Sequence, residues 1–227
     1  MEQAKKEVLR YLGYRHQALE PALERTVEQC MAELRAAAGP RRVWRLFPVE
    51  PQEAGIRLGG TALVLDGGDI RRHLGAAEMA AVLAVTLGAA ADALIRRWEH
   101  TDLTRSVILD ACATQYVEEL CDGVEREIRE EAQKLGLEAN SRYSPGYGDL
   151  PLEAQPGILG VLDAARRIGL TCTGSLILLP RKSVTALMGL FPKGEAASGG
   201  RGCEGCALRE TCQFRKDGEP GGCESLA

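Results

Sequence analysis

Residues 142–148, Arg-Tyr-Ser-Pro-Gly-Tyr-Gly, gather a forked donor, two aromatic faces and three strong turn formers in one short stretch. The guanidinium of Arg142 is planar and suits a carboxylate. Pro145, Gly146 and Gly148 fix a tight backbone whose amides can approach a ligand closely. Tyr143 and Tyr147 supply flat faces with polar tips. Together they would suit a small zwitterion carrying a flat or cationic group. The same residues also make a sound turn with structural tyrosines, and residue types alone leave both readings open.

A second constellation lies near the end of the chain. Cys203, Cys206 and Cys212 form C-x2-C-x5-C, with Cys223 as a candidate fourth ligand. Close cysteines in a coreless segment of a reducing compartment point to metal rather than disulfide. Thiolates suit zinc or an iron–sulfur cluster. The spacing matches neither the ferredoxin run nor a paired zinc ribbon.

Other chemistry is thinly supported. There is no P-loop, no G-x-G-x-x-G after a strand, no G-x-S-x-G and no H-E-x-x-H. His16, His73 and His100 sit apart near helix ends and read as surface or capping residues. A net charge of −4 and an aromatic content of 4% argue against nucleic acid. No segment resembles a signal peptide or reaches eighteen uncharged apolar residues, so the expectation is a cytoplasmic protein without a membrane span.

The elements that must position these groups can be read from periodicity. Residues 3–12 and a longer stretch from about 18 to 38 are helical, the second with Leu19, Leu23, Val27, Cys30, Met31 and Leu34 on one stripe. "RRVWRLFPVE" reads as a strand, and "GIRLGGTALVLDGGDI" as two short ones around Gly59-Gly60. Asp69 is placed to cap a turn over 70–74.

Two long helical patterns are expected next, over 76–97 and 103–135. The second begins at Asp102, stops at Gly136, and has Val107, Ala111, Cys112, Tyr116, Leu120, Val124 and Ile128 inward. Beyond the loop, Asp149 is placed to cap short helices over 150–154 and 156–166. "SLILLP" and "SVTALMGLF" read as two core strands. Cys30, Cys112, Cys121 and Cys172 read as small buried hydrophobes, and Met31, Met79 and Met188 as core filler. The class expected is α+β: helices packed on a small, mainly antiparallel sheet over 1–191, then a Gly- and Cys-rich tail over 192–227.

R-x-x-x-G-Y, here Arg142 to Tyr147, resembles the signature of the activation domain of vitamin B12-dependent methionine synthase. "LRYLGYR", "LGAAADALIRRWEHTDLTRSVILDACATQYVEELCDGVE" and "IGLTCTGSLILLPRKSVTALMG" resemble its stand-alone bacterial relatives, in the expected order over roughly residues 5–191. The resemblance implies S-adenosylmethionine-dependent reductive remethylation of cob(II)alamin. The cobalamin would sit on a separate corrinoid protein or core methionine synthase, and a flavodoxin or ferredoxin would supply the low-potential electron.

Carried over by residue, Arg142 would hold the ligand carboxylate, and Tyr143, Ser144, Pro145 and Gly146 would line it. Glu118 or Glu119 would meet the ligand amino group, and Tyr147 would face the corrin edge as the catalytic-side plate. Two features depart from the family: Thr173-Gly174-Ser175 stands where Thr-Glu-Ser is usual, and the Asp-Trp-Thr-Pro segment is absent.

A low-potential electron favours a 4Fe-4S cluster over zinc at Cys203, Cys206, Cys212 and Cys223. Iron–sulfur potentials extend to roughly −700 mV, whereas zinc has no redox chemistry. The rival expectations are a non-catalytic corrinoid-docking module and an electron-transfer accessory to another corrinoid methyltransferase.

Overall fold

A computed structural model describes residues 2–14, 19–53 and 55–194. Helices α1 (Glu2–Tyr11) and α2 (Pro21–Ala37) come first, followed by strands β1 (Arg41–Gln52), β2 (Gly55–Leu58) and β3 (Val64–Asp66). Then come α3 (Gly68–Leu74), β4 (Met79–Thr86), α4 (Ala89–Glu99), α5 (Leu103–Lys134) and β5 (Leu137–Ala139). A 3-10 turn (Leu152–Ala154) leads into α6 (Gln155–Leu162) and α7 (Ala164–Ile168), and β6 (Thr171–Cys172), β7 (Leu178–Leu179) and β8 (Ser183–Pro192) complete the order.

The main sheet runs β3-β2-β1-β4-β8-β5, and its pairings are antiparallel throughout. Helices α1, α2, α4 and α5 pack on one face, where Leu83, Val85, Ala186 and Met188 meet Val27, Leu34, Leu109 and Ile128. Helices α3, α6 and α7 cover the other face around Val82, Ala84, Leu187, Ile158 and Leu162. The expected α+β class holds.

Several expectations need correction. Residues 79–86 form the strand β4, not the first half of a helix. With β1 and β8 on its edges and helices over both faces, nearly every residue of β4 is buried, so no alternation betrays it. The helix begins only at Ala89, after Gly88 turns the chain with φ +80°.

Val107 is exposed rather than inward, because the buried side of α5 is set by Leu109, Ala113, Val117, Val124 and Ile128. "SLILLP" is not a core strand: only β7 forms, paired with β6 in a separate ribbon that leaves Ile177 and Leu179 exposed.

The boundaries of α5 match expectation. The Asp102 carboxylate accepts from the Arg105 amide at 2.9 Å, and Gly136 closes the end with φ +76°. Cys30, Cys112, Cys121, Met31 and Met188 are buried, while Cys172 and Met79 are half-buried. Among the described residues no helix is long and apolar enough to cross a membrane.

Candidate functional site

The loop 140–150 is anchored to β8 at its start. Asn140 clamps β8 from both sides: its amide donates to the Gly189 carbonyl at 3.0 Å, and its side-chain oxygen accepts from the Gly189 amide at 2.7 Å. Tyr143 exchanges two backbone bonds with Leu187, at 2.9 and 2.8 Å. β5 itself pairs only with residues 190–192 of β8, so the loop takes over that edge further along.

The turn then closes on itself. Gly146 N–H donates to the Leu150 carbonyl at 2.8 Å, and Tyr147 N–H to the Ser144 carbonyl at 3.1 Å. Gly146 has φ +90°, a conformation that disfavours any side chain. Gly148, at φ +51°, lies against the Asp69 carboxylate and the Tyr143 hydroxyl, where a Cβ would collide with both.

Two capping expectations are corrected here. The Asp149 carboxylate accepts from the amides of Gly68 (2.6 Å) and Asp69 (2.9 Å), so it caps α3 rather than the helix that follows it. Asp69 does not cap its own helix; its carboxylate accepts from Asp149 N–H at 3.3 Å. Loop and helix start thus satisfy one another across more than seventy residues of sequence.

Arg142 points onto α5. Its side chain is 7% exposed and meets three carboxylates: Asp122 at 2.8 Å, Glu125 at 3.1 Å and Glu118 at 3.5 Å. Positions 118, 122 and 125 follow helical spacing, which places all three acids on one face. Glu125 is shared with Arg129, whose guanidinium also donates to the carbonyls of Ala139 and Asn140. Burial opposes the charge on Arg142, but Cys121, Glu118, Asp122 and Glu125 together outweigh it and raise its pKa. Beneath it the buried Cys121 thiol is pushed up to about 12, burial outweighing the opposing pull of Arg142.

The aromatic part of the site includes a residue that sequence reasoning set aside. His73, expected at the surface, is packed against Tyr143 with ring centroids 4.9 Å apart. Burial lowers its pKa to about 4, so the imidazole is neutral near pH 7. The Tyr143 hydroxyl donates to the Tyr147 carbonyl at 3.0 Å, and the two tyrosine rings lie 6.1 Å apart. Ser144 is buried, Pro145 and Tyr147 half-buried, and Gly146 exposed.

The candidate residues therefore divide. Arg142 and the loop 143–147 come together with Glu118. Glu119 lies elsewhere, paired with Arg35 at 2.5 Å and accepting from Gln115 at 3.2 Å. Asp122 and Glu125 belong to the site but were not singled out, because they sit in a charged run that reads as a solvated helix face. His100 is exposed, while His16 and the candidate ligands Cys203, Cys206, Cys212 and Cys223 fall outside the described residues. Among the described residues no group of three or more His, Cys, Asp or Glu is placed to hold a metal ion.

A shallow depression between α4 and α5 is a competitor for the site. It is lined by Asp92, Arg96, Asp110, Arg181 and Lys182, of which Asp92, Asp110 and Lys182 are engaged in the fold. Asp92 accepts from the Arg181 and Lys182 amides, and the Lys182 ammonium pairs with Asp110 at 2.9 Å.

No protein-family model matches the sequence, and no curated protein matches it either. Among solved structures, a crystal structure of the MetH reactivation domain bound to AdoHcy matches with a TM-score of 0.63. The match covers 85% of this chain and 76% of that one at 16% identity. The chain has the reactivation-domain fold. That fold accounts for the antiparallel sheet covered by helices on both faces.

Proposed function

We propose that the protein binds S-adenosylmethionine beside Arg142 and delivers its methyl group to the cobalt of a cobalamin carried by a partner protein. One observation supports this reading most: a buried arginine ringed by carboxylates, next to an aromatic loop, in a fold whose crystallised counterpart holds AdoHcy. The donor set fits such a ligand. A guanidinium matches its carboxylate, Glu118 its ammonium, and the backbone of Tyr143, Ser144, Pro145 and Gly146 can line it. Tyr147 supplies the flat face toward the corrin.

The chemistry assigned to this chain is chiefly positioning. A low-potential donor, a flavodoxin or ferredoxin, reduces cob(II)alamin to cob(I)alamin. The cobalt lone pair then forms the Co–C bond as the S–CH3 bond breaks, and the neutral thioether S-adenosylhomocysteine leaves. Methylation removes the scarce reduced state and draws the uphill reduction forward. Cys203, Cys206, Cys212 and Cys223 are our candidate relay for the electron. Anaerobic purification with metal analysis tests that part, iron supporting it and zinc alone overturning it.

The decisive assay is methylation of a corrinoid protein starting from cob(II)alamin, with S-adenosylmethionine and a low-potential reductant. Calorimetry provides the residue-level check. Arg142→Ala should weaken S-adenosylmethionine binding by about 1.5–3 kcal/mol, the worth of a hydrogen bond to a charged group. Unchanged affinity in a folded variant would remove Arg142 as the anchor. No heat from the wild-type chain, with or without its corrinoid partner, would leave a docking module instead.

A further inference from the structure

Resting on that reading, we infer that Asp122 is a placeholder for the ligand carboxylate, occupying the outer nitrogen of Arg142 until the ligand displaces it. The three acids around this guanidinium are not equivalent. Glu125 approaches Nε at 3.1 Å, is 16% exposed, and is held from behind by Arg129. Glu118 is also 16% exposed and faces the same Nη2 as Asp122, at the longer distance of 3.5 Å. Asp122 makes the shortest contact, a 2.8 Å bond from Nη2, yet its side chain is 53% exposed. Arg142 is its one polar partner among the described residues.

These differences assign different jobs. Glu125, fixed between two arginines, holds the guanidinium plane. Asp122 can leave by rotating its short side chain into water, giving up an ion pair that is already open to solvent on the carboxylate side. An incoming carboxylate then takes the vacated nitrogen with the same hydrogen-bond chemistry. Binding becomes an exchange of one carboxylate for another, and the affinity observed is reduced by the fraction of protein in which Asp122 holds the nitrogen.

Removing a residue of the site should therefore improve binding, provided the ligand carries a carboxylate. The full chain and its Asp122→Asn and Asp122→Ala variants would be titrated by calorimetry with three probes. S-adenosylhomocysteine and S-adenosylmethionine carry the amino-acid group; 5′-methylthioadenosine lacks it.

Both variants should bind the two amino-acid probes about two- to fivefold more tightly, the range set by an ion pair open to solvent on one side, and 5′-methylthioadenosine with unchanged affinity. Unchanged or weaker binding of S-adenosylhomocysteine overturns the placeholder while leaving the site intact. Equal tightening of all three probes overturns it too, because the effect would then not depend on the carboxylate. Failure of wild type and variants alike to bind any probe removes the S-adenosylmethionine reading, and the placeholder with it.

Discussion

Two arginine clusters flank the same long helix, and they are built on opposite charge balances. Near its start, Arg105 and Arg97 share one carboxylate, Glu33, at 2.6 and 3.3 Å. Both guanidiniums also lie over the Trp98 ring, 4.7 and 5.2 Å from its centroid. Cation outnumbers acid there, and an aromatic face takes up the remainder, binding α2, α4 and α5 into one brace. Further along, Arg142 meets three acids, of which Glu125 also has Arg129. The brace is made within the helices themselves, although Arg105 Nε and Trp98 Nε1 stay buried without a hydrogen-bond partner among the described residues. The Arg142 cluster has the opposite make-up, three carboxylates around one central guanidinium.

That contrast can be broken most forcefully at Arg142. Arg142→Met should lower the unfolding free energy by about 3 kcal/mol in urea, since removing the buried cation leaves the partly buried Glu118 and Glu125 close together without it. Adding Glu118→Gln should recover part of the loss; no recovery would mean that Arg142 acts through packing rather than charge.

A smaller effect follows from acid. His73 is held near 4 when folded against an ordinary 6.5, so folding keeps it neutral. Its contribution is full above pH 6.5 and is progressively lost as the pH falls toward 4. The total is about 2–3 kcal/mol. Amide exchange at residues 140–143 should accelerate in that window before exchange in α2 and α4 does, and His73→Gln should flatten the dependence.

The smallest change is expected at the brace. Arg105→Gln should cost about 1 kcal/mol of stability, the scale of a partly exposed ion pair with a cation–π contact. Calorimetry should show no loss of ligand affinity, whereas a loss comparable to that of Arg142→Ala would erase the distinction between the clusters.

Sequence made the local devices legible and hid the long-range ones. The Asp102 cap, the Gly136 stop, the strands on either side of Gly59-Gly60 and the turn chemistry of 145–148 are all written within a few residues. β4 is misread because "MAAVLAVT" is short, alanine-rich and buried on both sides, leaving neither period 2 nor period 3.6 to detect. His73 is misread because its burial depends on Tyr143, seventy positions away. Asp122 and Glu125 carry one usable signal: with Glu118 they fall on a single helical face. Only the fold shows that this face looks toward Arg142 rather than water.

The reciprocal caps of Asp69 and Asp149 bear on how the site could be moved into another protein. The 142–149 loop does not carry its own shape, because its final turn is pinned by the first amides of α3 and its glycine at 148 leaves room for Asp69. A graft of the loop alone would lose both the pin and the contour it fits. The smallest transplantable unit is the loop together with α3, two segments distant in the chain that must be inherited, or engineered, as one part.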